Sequence, residues 1–209
     1  MIETEHLSIT DRFIIVDNFY KNPDEIRNHA LTMEKESESG GNYAGIMTVN
    51  HFLTAEHLEA ISKLVGHRVK PSTGFTGKFR FTKEGDTYVQ DIHFDPGDNS
   101  CLWAGVCYLT PIDSLVDGTI FWKHNRTGLT SIPLTIEGLT EHGFSPDTLK
   151  DFLNTDGVTH SMWTKTFSVP YQYNRLILFR PWMFHSPGVG FGNSIDTARS
   201  VQTFFFSPD

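Results

Sequence analysis

Seven short apolar runs, rich in aromatic and β-branched residues, constrain the fold of this chain more than any other feature. Each run is bounded by Gly, Pro, Asn or Asp, which is typical of short strands separated by turns. The pattern predicts a mainly β fold, an antiparallel sandwich or jelly roll rather than alternating βαβ units. In chain order the runs are RFIIVDNF, TGKFRFT, TYVQDIHF, CLWAGVCYLT, GTIFWKH, RLILFRP and ARSVQTFFF.

Helix signals lie mainly near the N-terminus. Asn22 with Pro23 predicts the start of one helix, Thr54 opens a second, and Ser145 caps a third, much later in the chain. At 209 residues the chain is predicted to be one domain. Within it we expect an N-terminal strand and helices over residues 1–70, a barrel core over residues 75–206, and an insertion or lid over residues 123–172.

Charge and hydropathy narrow the class of partner. The formal net charge is -8, so no basic surface draws the chain to a nucleic acid or an anionic membrane. The sequence contains neither a signal peptide pattern nor an apolar run long enough to span a bilayer, and we therefore expect a cytoplasmic protein. Cys101 and Cys107 share one apolar run, which predicts buried thiols rather than a disulfide.

His93 and Asp95 are the first candidates for metal ligands. Residues i and i+2 of a strand face the same side, so both side chains can reach one ion. The spacing alone is weak, because a chain with 10 histidines produces such pairs by chance. A rival pair, His57 and Glu59, lies in a predicted helix, where residues i and i+2 point apart.

A third ligand and a cation complete the predicted site. His185 is expected at the end of the apolar strand that begins with RLILFRP, just before a Pro-Gly turn, and two histidines with one carboxylate form the facial triad of non-haem Fe(II) oxygenases. A co-substrate that chelates iron and carries a distal carboxylate needs a buried cation, and Arg199 opens the next strand. Arg175 and Arg180 fit this role less well because they precede His185.

These residues resemble the iron(II)- and 2-oxoglutarate-dependent dioxygenase superfamily, and most of all its prolyl-hydroxylase-like branch. The resemblance covers residues 79–206 in the order of elements. HFDPGDNSCLWAGVCYLT is similar to the family's ligand strand, polar turn and following strand, with Tyr-Leu-Thr in place of Tyr-Leu-Asn. DGTIFWKH is similar to the family's Gly-Gly-Thr-x-Phe strand, with Asp117 replacing one glycine. Residues 123–172 have no counterpart in the prolyl hydroxylases, so their substrate preference is not carried over.

The resemblance implies a double-stranded β-helix, the jelly-roll, cupin-like fold, with flanking N-terminal helices. It further implies that His93, Asp95 and His185 bind Fe(II), that 2-oxoglutarate and O2 are co-substrates, and that Arg199 and Tyr108 contact 2-oxoglutarate. The expected activity is oxidation, typically hydroxylation, of a small molecule or peptide. Two other classes stay open: a cupin-like metal enzyme that does not use 2-oxoglutarate, and a barrel that binds a ligand without catalysis.

Overall fold

Two antiparallel sheets build the core of the protein. The computed structural model describes residues 5–9, 12–37, 44–87, 91–95 and 101–209, and within them the fold is mainly β. The larger sheet contains β1 (Glu5–Ile9), β2 (Phe13–Asp17), β3 (Lys35–Ser37), β4 (Ile46–Thr48), β5 (Val69–Pro71), β6 (Phe79–Thr82), β7 (Trp103–Tyr108), β10 (Leu176–Phe179) and β12 (Arg199–Pro208). The smaller sheet contains β8 (Asp117–His124), β9 (Trp163–Pro170) and β11 (His185–Pro187).

Strand order places β12 at the centre of the larger sheet. That order is β1-β2-β10-β7-β12-β6-β4-β3, with β5 also paired to β12, and the smaller sheet runs β11-β8-β9. The helices are α1 (Pro23–Thr32), α2 (Ala55–Val65), α3 (Ile136–Glu141) and α4 (Pro146–Thr155), followed by two 3-10 turns at Asp156–Val158 and His160–Met162. None of the helices in the described part of the chain is long and apolar enough to cross a membrane.

Three apolar clusters hold these layers together. One face of the larger sheet packs against α1 and α2, through Ile14, Leu178 and Phe204 among others, and Ile61 of α2. Successive strand residues point to opposite faces, so the other face meets the smaller sheet. That second cluster contains Ala104, Tyr108, Phe121, Val169, Ile177, Phe179 and Val201. The third lies on the far side of the smaller sheet and contains Ile92, Trp122, Leu139, Phe152, Leu153, Trp163 and Phe184. The predicted site therefore lies in a sandwich that has helices on both sides.

Six of the seven predicted runs contain strands of the two sheets, and the three predicted helices are confirmed as α1, α2 and α4. The seventh, TYVQDIHF, is not a strand over residues 91–94, while its residues 88–90 lie outside the described part of the chain, as does the predicted polar turn at 96–100. The predictions did not include β1, β3, β4, β5, β9 and β11, and β9 lies inside the segment predicted as an insertion. Its central residues are exposed and mostly polar, so it lacks the apolar pattern of a buried strand.

Cys101 and Cys107 are buried free thiols, as expected. His57 is also buried in α2, where its Nε2 lies 2.8 Å from the Tyr20 hydroxyl. Glu59 instead pairs with Lys63 at the surface, 2.7 Å away. The rival pair therefore does not form a metal site, as the helix geometry predicted.

Burial of His57 makes a testable contribution to the pH dependence of stability. Burial lowers the pKa of His57 from 6.5 to about 4. Between these two pH values His57 therefore binds a proton in the unfolded chain but not in the folded chain. The contribution of neutral, buried His57 to the free energy of unfolding is fully present above pH 6.5 and is lost as pH falls towards 4. We expect a loss of about 3 kcal/mol in the free energy of unfolding. Urea unfolding of the wild type and of His57→Gln across this range measures the difference, and identical pH profiles would contradict it.

Candidate metal centre

Three buried side chains converge between the two sheets. The ligand atoms of His93, Asp95 and His185 all lie within 4.8 Å of one another. His93 Nε2 is 3.6 Å from Asp95 Oδ1, and His185 Nε2 is 3.3 Å from Asp95 Oδ2. Ligands bound about 2.1 Å from one ion at octahedral to tetrahedral angles lie roughly 3.0 to 3.4 Å apart. The His185–Asp95 distance falls in this range and the His93–Asp95 distance is slightly longer, so the three side chains are close enough to share a single ion.

The backbone places the two histidines side by side. The His93 N–H donates to the His185 carbonyl at 2.9 Å, and the His185 N–H donates to the His93 carbonyl at 2.8 Å. This isolated antiparallel bridge takes the place of the predicted ligand strand and still puts both side chains on one face. The Asp95 N–H donates to the Pro181 carbonyl at 2.8 Å, which brings the carboxylate to the same point.

The structure corrects the position expected for His185. Strand β10 ends at Phe179 and belongs to the larger sheet, whereas His185 opens β11 in the smaller sheet, opposite Phe121 of β8. His185 is thus not at the end of the RLILFRP strand. The chain crosses from the larger to the smaller sheet between Phe179 and His185. This crossing places the His185 side chain in the interior.

Backbone carbonyls fix which nitrogen each histidine presents. His93 Nδ1 donates to the Asp91 carbonyl and His185 Nδ1 to the Met183 carbonyl, each at 2.8 Å. A carbonyl can only accept, so each Nδ1 carries a proton and each Nε2 is the nitrogen that faces Asp95. Metal-binding histidines are commonly oriented in this way. No sequence pattern identifies these carbonyls, because every residue has a backbone carbonyl.

The charge of the site suits a divalent cation. Burial alone would raise the pKa of Asp95, but His185 and His93 beside it hold that pKa well below its usual range. A cation that replaced the protons between these groups would meet one carboxylate and two imidazole nitrogens. This donor set matches the facial triad that binds non-haem Fe(II) and leaves further coordination positions open. The residues present fit the metal that the resemblance implies.

Arg199 supplies a buried cation on the inner face of the larger sheet. The side chain is 3% exposed, and its Nη2 donates to the Gly118 carbonyl at 2.9 Å. Its Nε is buried, and no hydrogen-bond partner for it is found among the described residues. A buried, incompletely bonded guanidinium is costly unless an acceptor completes it, and a carboxylate is its best match.

Two tyrosines line the space beside this guanidinium. The Arg199 Cζ lies 5.8 Å from the ring centroids of both Tyr108 and Tyr171, and the two rings stack with centroids 4.6 Å apart. The Tyr108 hydroxyl is hydrogen-bonded to Thr119 Oγ1 at 2.7 Å. Burial raises the pKa of Tyr108 to about 12, so this hydroxyl keeps its proton at neutral pH.

Strand β8 connects the arginine with the histidines. Thr119 lies two residues before Phe121, the partner of His185, which is about 7 Å along a strand. Gly118 is required here, because a Cβ at that position would lie 2.6 Å from the Tyr108 hydroxyl. These contacts of β8 therefore place Arg199, Tyr108 and the three candidate ligands along one interior region.

Sequence reasoning missed Gly118, Thr119 and Tyr171 as residues of the site. Tyr171 accepts a hydrogen bond from the Thr110 N–H at 2.9 Å, but it lies in the segment predicted as an insertion and no local pattern singles it out. The two arginines that sequence reasoning set aside are engaged elsewhere. Arg175 pairs with Asp17 at 2.6 Å, and Arg180 stacks on Trp103 with 3.9 Å to the ring centroid.

Comparison with known proteins gives a family without an assigned activity. No curated protein matches the chain. A family model described as a family of unknown function matches residues 1–199. This stretch includes His93, Asp95, Tyr108, His185 and Arg199. Because this match covers most of the 209 residues, the chain belongs to the family of unknown function DUF6445.

Proposed function

We propose that the protein is a non-haem Fe(II)- and 2-oxoglutarate-dependent oxygenase of the prolyl-hydroxylase-like branch. The observation that supports this most is the buried convergence of His93, Asp95 and His185, with all ligand atoms within 4.8 Å. The proposal includes the finer fold, a double-stranded β-helix of the jelly-roll, cupin-like kind. Two face-to-face antiparallel sheets with the candidate ligands between them support that fold.

Each residue of the site has a role in this proposal. His93, Asp95 and His185 hold Fe(II), Arg199 binds the far carboxylate of 2-oxoglutarate, and the Tyr108 hydroxyl donates a hydrogen bond to the same co-substrate. When bound, the iron with O2 supplies the oxidising chemistry, in which 2-oxoglutarate is decarboxylated to succinate and a substrate C–H bond is oxidised. Arg199 is suited to its role by burial, since a guanidinium binds a carboxylate more strongly away from water.

Aromatic side chains shield the site from water. The rings of Phe179 and Phe121 lie 4.5 and 6.3 Å, centroid to centroid, from the ring of His185. Apolar walls of this kind exclude solvent and protect a reactive centre from side reactions. The net charge of -8 supports a small-molecule or peptide substrate over a nucleic acid, and a cytoplasmic location belongs to the same proposal.

A cupin-like metalloenzyme that does not use 2-oxoglutarate remains the alternative. Such a protein has no need for a buried guanidinium beside the metal site. The unbonded Nε of Arg199 therefore supports the oxygenase.

Succinate formation tests the proposed function. Purified protein is incubated with Fe(II), 2-oxoglutarate and O2, and succinate is measured together with matched anaerobic and chelator-treated samples. We expect slow succinate release without a prime substrate, dependent on both Fe(II) and O2. Pools of peptides or metabolites that accelerate this release would identify the substrate class. Metal binding without succinate in any of these samples would reject the oxygenase and favour the cupin-like alternative.

The Tyr108 hydroxyl is expected to make a modest contribution to co-substrate binding. Tyr108→Phe should weaken 2-oxoglutarate binding about 5- to 10-fold, since one neutral hydrogen bond contributes roughly 1 kcal/mol. Titration of the metal-loaded protein with 2-oxoglutarate measures the change. Tyr173→Phe is the matched control, because that hydroxyl donates to Asp24 on α1. Equal losses in the two variants would contradict a specific role for Tyr108.

A further inference from the structure

Two 3-10 turns, Asp156–Val158 and His160–Met162, lie against the backbone that carries His93 and Asp95. We call residues 156–162 the clamp. The Ile92 N–H donates to the Gly157 carbonyl at 2.9 Å. A Cβ on Gly157 would lie 2.5 Å from the Ile92 carbonyl oxygen, closer than real Cβ atoms approach. Glycine at this position therefore permits the contact between the clamp and the ligand segment.

A second contact joins the clamp to the residue that orients His93. His160 Nε2 lies 2.6 Å from Asp91 Oδ2. The backbone carbonyl of Asp91 in turn accepts the Nδ1–H of His93. The clamp thus holds the side chain of the same residue whose carbonyl sets the tautomer and ring orientation of a candidate ligand.

The clamp is itself fixed from the smaller sheet. Asp156 Oδ2 lies 3.1 Å from His124 Nε2 of β8, and the Asp156 carbonyl accepts from Trp163 Nε1 of β9 at 2.7 Å. The Trp163 ring packs on Phe184, the neighbour of His185, with centroids 4.9 Å apart. Ile92 belongs to the same buried cluster. Both histidine ligands are therefore supported by one packed unit.

We propose that the clamp is a positioning device for the metal centre, with Gly157 and His160 as its positioning residues. The inference rests on the proposed function and deepens it, because it assigns residues of the 123–172 segment to support of the metal ligands. Gly157 sets the backbone path at Ile92, and His160 sets the side chain of Asp91. Partners beyond the ligands themselves commonly change metal affinity about 10- to 100-fold.

Cobalt binding to the full chain tests this inference without relying on turnover. Co²⁺ is titrated into metal-free protein, and its visible absorption spectrum reports both affinity and ligand geometry. We expect Gly157→Ala to bind Co²⁺ about 10- to 100-fold more weakly, with an altered spectrum. His160→Leu should bind about 10-fold more weakly, while His160→Gln, which keeps a donor for Asp91, should return close to the wild type.

Two controls separate positioning from general damage. Gly74→Ala introduces a Cβ at an exposed glycine where no atom lies within 4 Å, and His142→Leu removes an exposed histidine of the same 123–172 segment. Both should bind Co²⁺ like the wild type. If Gly157→Ala fails to fold, the paired His160 variants decide the question, because the His160 side chain is 56% exposed.

The outcomes distinguish this inference from the function on which it rests. Tight Co²⁺ binding by the wild type, with unchanged affinity and spectrum in Gly157→Ala and His160→Leu, overturns the clamp and leaves the metal centre standing. Absence of Co²⁺ binding by the wild type overturns the metal centre and the clamp together. Weakened binding by Gly157→Ala and His160→Leu, with recovery in His160→Gln, supports the clamp.

Discussion

Asp95→Ala is expected to abolish both metal binding and succinate formation. Asp95 is the only carboxylate among the three candidate ligands, and without it two neutral imidazoles remain to hold a divalent cation. We expect metal affinity to fall by more than about 100-fold, beyond the loss seen on removal of a supporting residue. His93→Ala should give the same result.

Thermal unfolding with and without Mn²⁺ measures the loss independently of catalysis. A bound ion stabilises the folded state by mass action, so the wild type should melt at a higher temperature in Mn²⁺ and Asp95→Ala should not. Asp95→Asn preserves the volume of the side chain but removes its charge. A lost response to Mn²⁺ in this variant therefore reflects ligation rather than packing. Asp113→Ala, at an exposed position between β7 and β8, is the control that should keep the full response. Wild-type succinate formation by Asp95→Ala would reject the metal centre.

Arg199→Met is expected to lose 2-oxoglutarate binding while keeping the metal. Removal of the charged partner of a buried carboxylate should weaken binding about 100-fold, equivalent to roughly 3 kcal/mol. The same substitution should leave the metal-free protein at least as stable as the wild type. Arg199 is buried with an unbonded Nε, and a methionine of similar length removes an uncompensated charge from the interior.

The combination of lost binding and retained stability is what identifies a functional arginine. Calorimetric titration of the Mn²⁺-loaded protein gives the affinity for 2-oxoglutarate, and urea unfolding of the metal-free protein gives the stability. Arg68→Met, which replaces an arginine whose side chain is 88% exposed, should change neither quantity. Lower stability with unchanged 2-oxoglutarate affinity in Arg199→Met would show that this arginine is structural.

Local patterns predicted six of the twelve strands in the described residues and missed strands that are short or that depend on distant partners. Runs such as CLWAGVCYLT and ARSVQTFFF became β7 and β12 because they are buried on both faces between other layers. Strand β9 was missed because most of its side chains are exposed, and α3 because it has only six residues. His93 was expected on a strand but lies in an isolated bridge, since its pairing is made by His185, 92 residues later.

Part of the site could be predicted from the order of residues in the sequence. The structure brings together the predicted ligands His93, Asp95 and His185, and places Arg199 beside Tyr108. The groups that orient the two histidines could not be predicted from the sequence. They are the backbone carbonyls of Asp91 and Met183, and every residue has a backbone carbonyl. The clamp contact depends on Gly157 meeting Ile92, which only the folded chain reveals.

A crystal structure of the protein with Mn²⁺ and 2-oxoglutarate, with the ion located by anomalous scattering, tests the metal centre most directly. We expect one anomalous peak about 2 Å from Nε2 of His93, Nε2 of His185 and a carboxylate oxygen of Asp95. We also expect the far carboxylate of 2-oxoglutarate against Arg199. An ion bound elsewhere, with these three side chains left without it, would contradict the proposed function.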